Sequence, residues 1–282
     1  MTAPRRRKDP TARQRLPLPA LVLALIAVAF FALPFVGMLW RTPWSRFWEV
    51  LTGSGIGTPL RISITCSLAA AGLSLLFGVP LAWLLARADF PGRSVVRALC
   101  TLSMVLPPVI GGVALFFAIG RRGVLGQYLD RWFGITIPFT IWAVVIAQTF
   151  VAMPFLVLTV ESALRSFDSR FDEAARTLGA TRWYAFRRVT LPAIAPSVVA
   201  GTVLAWARAL GEFGATITFA GNNPRTTETM PIAIYLARER DQPTAIVLSL
   251  VLIAVSFVVL VVLRDRWMNG GGRAAPGTVA LA

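Results

Sequence analysis

Long apolar blocks separated by short basic loops dominate this sequence. An α-helix rises 1.5 Å per residue, so about 20 apolar residues cross the ~30 Å hydrocarbon core of a bilayer. The apolar blocks of about this length are residues 18–40, 60–86, 95–119, 138–160, 192–215 and 244–263. Because a backbone in lipid must satisfy its own hydrogen bonds, these blocks predict an all-α, polytopic membrane protein with about six transmembrane helices. The polar stretches between them are too short for a soluble domain, so residues 18–264 are predicted to form one membrane domain.

The basic residues lie mainly in the loops, and their distribution predicts the orientation. With the N-terminus inside, the cytoplasmic segments hold 18 Lys and Arg, whereas the outer loops hold 8. This excess predicts a multi-pass protein of the cell membrane with both termini in the cytoplasm. Residues 1–17 are then a cytoplasmic basic tail, and residues 265–282 a disordered cytoplasmic tail. Contact with anionic membrane lipid accounts for the net charge of +15, and no nucleic-acid partner is predicted.

The residue types needed for common metal and nucleotide chemistry are missing from the sequence. Histidine is absent, and the two cysteines, Cys66 and Cys100, lie in or beside apolar blocks, so neither a metal site nor a cofactor is predicted. A phosphate-binding Gly-x-x-x-x-Gly-Lys-Ser/Thr motif needs a lysine, and the single lysine, Lys8, has no glycine near it. The chain is therefore predicted not to be an enzyme, and a partner must carry out any ATP hydrolysis.

Residues 161–191 form the longest predicted cytoplasmic loop, and their pattern indicates two short helices. Residues 171–178 are good helix formers with acids in the first turn, and Gly179 can end that helix in a left-handed conformation. Thr181 can cap a second helix over residues 182–189, where apolar side chains recur every three positions. Such a unit suits either insertion into a partner's groove or a simple interfacial role, and the pattern alone leaves both open.

The same loop resembles the EAA loop of binding-protein-dependent ABC importer permeases. The matching residues, at that family's spacing and between the fourth and fifth of six spans, are Glu173, Ala174, Ala175, Gly179, Leu191 and Pro192. The resemblance implies a type I ABC importer permease fold in a bacterial cell membrane, with this loop docked on a cytoplasmic ABC ATPase dimer. Since one loop offers one docking point, a second permease chain is expected, either as a homodimer or as a heterodimer with a related permease.

Polar residues near the outer end of the fifth block are candidates for a substrate pathway. Charges at membrane depth are costly, and Arg208 and Glu212 stand four residues apart on one helix face. Either an internal ion pair or a substrate role explains them. Downstream, Thr216, Thr218 and Asn222 supply hydroxyl and amide donors that can receive an oxyanion, and a tight re-entrant turn explains the same residues.

A resemblance in this region narrows the substrate. Residues 207–222 resemble the molybdate permease subfamily and, less closely, its sulfate relatives, and residues 229–235 resemble the subfamily's next segment. The resemblance implies a molybdate importer, with tungstate as a second candidate, supplied by an extracytoplasmic oxyanion-binding protein. Sulfate is the first alternative, because it is also a doubly charged tetrahedral oxyanion. An ion-coupled secondary transporter is a further alternative, but it needs a relay of buried acids or histidines, and the predicted blocks contain only Glu212.

Overall fold

The computed structural model describes residues 17–53 and 55–270, with side chains as far as residue 259 and that of residue 261. Within these residues the secondary structure is helical, without strands. They divide into two units, residues 17–45 and residues 46–270. Most of the two predicted tails, residues 1–16 and 271–282, lies outside the described part of the chain.

The first unit contains helix α1, Leu18–Trp40. Its 23 residues coincide with the first predicted block, and they are long and apolar enough to cross a membrane. Proline near the helix start is tolerated there, because its missing N–H would have no partner inside the helix. Pro34 lies inside the helix, where a membrane setting tolerates it.

The second unit is built from short and long helices joined by tight turns. In chain order these are α2 (Phe47–Thr52), α3 (Gly57–Arg87), α4 (Arg93–Val105), α5 (Pro108–Ile119), α6 (Gly126–Phe133), α7 (Ile141–Ser166), α8 (Arg170–Thr177), α9 (Arg182–Ala185), a π-helical turn (Phe186–Thr190), α10 (Leu191–Leu210), α11 (Gly214–Phe219), α12 (Met230–Arg240) and α13 (Gln242–Gly270). Within the described residues, five stretches are long and apolar enough to span a membrane: α1, α3, α7, Arg182–Leu210 and α13 as far as Val259. With the shorter apolar α5, this agrees with the prediction of about six membrane segments.

Helices α3, α7 and α10 form the centre of the second unit, and glycines let their backbones approach closely. A Cβ added to Gly78 of α3 would lie 2.9 Å from Cδ2 of Leu156 in α7. A Cβ added to Gly201 of α10 would lie 3.2 Å from the Cα of the same leucine. Alanines Ala152 and Ala205 are fully buried in this core. Small residues suit helix contacts in lipid, where association depends on van der Waals packing rather than on the hydrophobic effect.

The prediction of one continuous third span over residues 95–119 is wrong. Helix α4 ends at Val105, and Leu106 is extended (φ −59°, ψ 135°) before α5 begins at Pro108. The cause is the pair formed by Pro107 and Pro108, because proline lacks an N–H donor and disfavours helical conformation in the residue before it. At 1.5 Å per residue the 12 residues of α5 reach only about 18 Å.

The second short apolar helix, α11, packs against α5. A Cβ added to Gly112 of α5 would lie 2.7 Å from the carbonyl oxygen of Ala215 in α11. A Cβ added to Gly214 would lie 2.9 Å from Cβ of Pro108. The two glycines therefore allow the short helices to lie backbone to backbone. The polar stretch that the sequence assigns to a substrate pathway or a re-entrant turn contains this six-residue helix.

The fifth and sixth predicted spans have different ends in the structure. Helical backbone begins at Arg182 and runs through the π-helical turn into α10, which ends at Leu210 rather than at residue 215. Glu212 therefore lies in the link between α10 and α11. Helix α13 continues to Gly270, past residue 264 where the sequence predicts the end of the membrane domain.

Candidate functional site

The loop between α7 and α10 contains the two short helices that the sequence predicts, with a sharp bend between them. Helix α8 carries Asp172 and Glu173 in its first turn, where carboxylates interact favourably with the helix dipole. Gly179 ends this segment with φ +90°, a left-handed conformation that glycine adopts without a steric penalty. The N–H of Ala180 donates to the carbonyl oxygen of Ala175 at 3.1 Å, which closes the C-terminal end of α8.

The second helix of the loop starts at the predicted cap and then continues into the membrane span. The Thr181 hydroxyl accepts a hydrogen bond from the N–H of Tyr184 at 3.2 Å, as expected of an N-cap residue. After α9, the π-helical turn shifts the backbone hydrogen-bond register. Leu191 and Pro192 follow directly in the first turn of α10, where the missing N–H of proline is least costly. Helical backbone therefore continues without a break from Arg182 into α10.

A side-chain contact joins α8 to the end of the π-helical turn. The hydroxyl of Thr190, at the end of the π-helical turn, donates to the Asp172 carboxylate with a distance of 2.6 Å between Oγ1 and Oδ1. Thr190 is 2% exposed, so the bond is shielded from water on one side. Because one partner is a carboxylate, the bond is of the stronger, charge-assisted kind.

The outer surface of this two-helix unit combines small, apolar and charged residues. Ala174 is exposed, as is Glu173, whereas Ala175 is half-buried. An open pocket of about 470 Å³ lies beside them, lined by Ala175, Leu178, Gly179, Ala180, Thr181 and Tyr184. Leu178 is 89% exposed. A surface of this shape suits close contact with another protein.

Helix α8 is also connected to the end of α3. The rings of Phe167 and Phe171 lie 5.9 Å apart, and the guanidinium carbon of Arg87 lies 5.8 Å from the centre of the Phe167 ring. Arg87 also donates from Nη2 to the carbonyl oxygen of Phe167 at 3.3 Å. The loop between α7 and α10 therefore contacts α3 as well as the π-helical turn that leads into α10.

Sequence reasoning missed a charged cluster at the same end of the bundle. Glu161 of α7 is 4% exposed, and its Oε1 accepts from Arg97 of α4 at 2.5 Å and from Arg165 at 2.9 Å. The carbonyl oxygen of Leu85 in α3 accepts from both of these arginines at 3.3 Å and from Arg93 at 2.9 Å. The cluster joins α3, α4 and α7. The four-residue spacing of Glu161 and Arg165 was the one local signal for it.

The structure brings Arg208 and Glu212 into contact. Their Nη1 and Oε2 atoms lie 2.7 Å apart, and Glu212 is buried at 1% exposure. The other carboxylate oxygen of Glu212 accepts from the N–H of Ala215 at 2.9 Å, in the first turn of α11. The Oε2 atom makes no hydrogen bond of good geometry with any described residue, so its contact with Arg208 is a charge contact without good directionality.

Among the described residues, no hydrogen bond or ion pair joins the side chains of the three other predicted pathway residues to this pair. The Thr216 hydroxyl is buried and has no hydrogen-bond partner among the described residues. The Thr218 hydroxyl donates to the carbonyl oxygen of Gly214 at 2.8 Å, within its own helix. Asn222 lines a pocket of about 570 Å³, which also includes Glu228 and Arg240.

A further buried polar residue was not predicted. Gln148 of α7 is 0% exposed, and neither its amide nitrogen nor its amide oxygen has a partner among the described residues. The Ser74 hydroxyl of α3 is also buried and has no hydrogen-bond partner among the described residues. Gln148 lies inside an apolar block, so its place in the sequence was visible, but its complete burial depends on how α7 packs against α3 and α10.

Comparison with known proteins agrees with this architecture. Residues 78–269 match the model of a family described as binding-protein-dependent transport system inner membrane component. The chain is 46% identical to the molybdenum transport system permease protein ModB of Mycobacterium tuberculosis (strain ATCC 25618 / H37Rv), over 84% of this chain and 89% of that protein. It is 35% identical to the sulfate transport system permease protein CysT of Escherichia coli (strain K12), over 87% of this chain and 83% of that protein.

A solved structure shows the same fold at low sequence identity. The crystal structure of a bacterial ABC transporter involved in alginate import matches 89% of this chain and 95% of its own chain, with a TM-score of 0.69 and 20% identity. The sequence relatives are transport components rather than enzymes. The chain is therefore a multi-pass membrane protein of the family of binding-protein-dependent transport system inner membrane components, with the fold of ABC importer permeases.

Proposed function

We propose that this chain is the membrane subunit of an ATP-driven importer that carries molybdate into the cell, with tungstate as a second substrate. The observation that carries the proposal is the 46% identity, over most of both chains, to a permease named for molybdenum transport. The identity of 35% to a sulfate permease makes sulfate the second candidate. Both anions are doubly charged and tetrahedral, so selection between them is assigned mainly to an extracytoplasmic oxyanion-binding protein.

The energy comes from a separate ABC ATPase dimer in the cytoplasm, which docks on the loop between α7 and α10. Glu173, Ala174, Ala175 and Gly179 form the docking end of this loop, while Leu191 and Pro192 begin the span that it moves. Support comes from the exposure of Glu173 and Ala174 on α8 and from the continuous helix that links α9 to α10. Two chains of this permease, as a homodimer, provide the two docking points that an ATPase dimer needs.

Both termini lie in the cytoplasm in this proposal, and the binding protein docks on the opposite face. The excess of arginine in the segments assigned to the cytoplasm supports this orientation. Transport follows alternating access: ATP binding closes the ATPase dimer, the coupling helices move with it, and the membrane helices open toward the binding protein.

The proposed substrate pathway includes Arg208, Glu212, Thr216, Thr218 and Asn222. The contact between Arg208 and Glu212 already balances the arginine charge, so the pair does not hold a divalent anion as a lone cation would. The unpartnered Thr216 hydroxyl is then the donor with capacity for a new hydrogen bond. Weak, multiple donors suit passage, because a conducting site must release its ion as well as bind it.

The test is uptake by proteoliposomes that contain the purified permease, its ATPase and its binding protein. Molybdate should accumulate only when ATP is available to the ATPase. A tenfold excess of sulfate should leave that uptake nearly unchanged. Equal uptake of sulfate and molybdate would favour the second candidate, and uptake that requires an ion gradient but no ATP would reject the importer proposal.

A further inference from the structure

An apolar groove lies between the end of α3 and α9 with the start of the π-helical turn. Its volume is about 450 Å³, and its lining consists of Val79, Pro80, Trp83, Arg182, Trp183 and Phe186. The rings of Trp183 and Phe186 stack, with centroids 5.8 Å apart and an interplanar angle of 26°. Trp83 is 43% exposed and Trp183 68% exposed, so both indoles present free surface. The walls are almost entirely hydrocarbon, which suits an acyl chain rather than a polar solute.

The depth of the groove in the membrane follows from its position on α3. Trp83 lies four residues before Arg87, where α3 ends, a distance of about 6 Å along the axis. Tryptophan is enriched at the boundary between acyl chains and head groups, where its ring is in hydrocarbon and its N–H is near water. The groove therefore opens at the level of the lipid head groups.

The arginines beside the groove favour a lipid with an anionic head group. Arg182 lines the groove, and Arg187 and Arg188 follow in the adjoining π-helical turn. All three side chains belong to exposed residues, and none forms an ion pair with an acid of the described part of the chain. Arginine binds phosphate well, because its planar guanidinium offers several donors in a fixed geometry. An anionic amphiphile fits this combination, because its acyl chain can contact the hydrocarbon walls and its charged group can contact an arginine that has no ion pair.

We propose that this groove binds one anionic phospholipid, with an acyl chain against Trp83, Trp183 and Phe186 and the phosphate on Arg182. The bound lipid fills the space between α3 and α9. It thereby fixes the position of α9, whose other face, at Thr181 and Tyr184, borders the pocket beside the EAA motif. The inference requires only that the chain is in a membrane and does not depend on the transported anion.

Native mass spectrometry of the full-length chain, delipidated in detergent, tests the site. The probes are dioleoyl phosphatidylglycerol, dioleoyl phosphatidylcholine and water-soluble glycerol phosphate, each titrated separately. We expect the wild-type chain to bind phosphatidylglycerol more tightly than phosphatidylcholine, and glycerol phosphate not to bind measurably. A phosphate contact with one arginine predicts that Arg182→Gln weakens phosphatidylglycerol binding about fivefold. Binding of phosphatidylcholine should be unchanged by this substitution.

Two further variants separate the contribution of the head-group contact to lipid binding from that of the acyl-chain contact. Arg170→Gln removes one exposed charge from α8, outside the groove, and should leave all binding as in the wild type. Trp83→Ala should weaken both lipids, because it removes an apolar wall. Equal wild-type affinities for the two lipids, equal effects of Arg182→Gln and Arg170→Gln, or no effect of Trp83→Ala would each overturn the proposal. Glycerol phosphate binding as tight as that of phosphatidylglycerol would show an anion site and would also overturn it.

Discussion

The Thr190 hydroxyl donates to the Asp172 carboxylate at 2.6 Å, across 18 residues of sequence. Asp172 lies in the first turn of α8, next to Glu173, and Thr190 immediately precedes α10. The bond therefore ties the proposed docking helix directly to a membrane helix. A displacement of α8 by a partner would be passed to α10 through this bond as well as along the backbone.

The substitution Thr190→Val should weaken this mechanical link. It removes the donor but preserves the shape of the side chain, and the loss of a hydrogen bond to a charged group costs about 1.5–3 kcal/mol. We expect less molybdate transported per ATP hydrolysed, at normal levels of membrane insertion. The readout is the ratio of uptake to phosphate release in proteoliposomes. Thr177→Val is the matched control, since Thr177 bonds only to carbonyls of its own helix; an equal effect of both would contradict the link.

Two substitutions at Gly179 test the proposed docking surface. Tryptophan at this position adds bulk to the exposed surface and is strained at φ +90°, whereas asparagine tolerates the left-handed conformation. We expect Gly179→Trp to abolish ATP-dependent uptake and Gly179→Asn to retain most of it. Co-purification of the ATPase measures docking directly. Normal uptake by Gly179→Trp would exclude the loop from coupling.

Reversal of the Glu173 charge is a second test of that surface. Glu173 is exposed, and its side chain makes no ion pair with described residues. Glu173→Arg should therefore have little effect on folding but should uncouple ATP hydrolysis from uptake. Glu173→Gln, which keeps the shape and removes the charge, should have a smaller effect. Thermal unfolding of both variants near the wild-type midpoint is the control for folding.

The contact between Arg208 and Glu212 predicts a specific pattern of rescue. Arg208→Ala leaves a carboxylate buried without its cation, which costs about 3 kcal/mol or more. Adding Glu212→Gln removes the buried charge and keeps an oxygen for the N–H of Ala215. The double variant should regain most of the lost thermal stability. Its uptake then distinguishes the roles: recovered uptake indicates a structural pair, and stable protein without uptake indicates a pathway residue.

The buried amide of Gln148 predicts a stabilising substitution. A buried polar group without a partner costs about 1–3 kcal/mol, and methionine fills a similar volume without polar atoms. Gln148→Met should therefore raise the unfolding midpoint. Gln127→Met on α6, an exposed position, should change it little. A lower midpoint for Gln148→Met would mean that the amide has a partner, such as bound water, in the membrane.

Local features of this protein could be predicted from the sequence because their causes are local. The apolar run that forms α1, the left-handed Gly179 and the Thr181 cap each depend on a few neighbouring residues. The four-residue spacing of Arg208 and Glu212 offered an ion pair as one of two alternatives, and the structure shows their contact. In each case the interacting groups lie within four residues of one another, or the length of one apolar run sets the outcome.

Contacts between distant residues were decided only by the tertiary structure. No sequence pattern pairs Arg97 with Glu161 or Thr190 with Asp172, because these depend on which helices become neighbours. The break at Pro107 was visible as a proline pair, yet a membrane helix can also continue through proline. Whether the helix breaks there depends on packing, because the short helix α5 packs closely against α11 at Gly112 and Gly214. Hydropathy determined that the chain enters the membrane, and close helix packing determined which polar groups meet there.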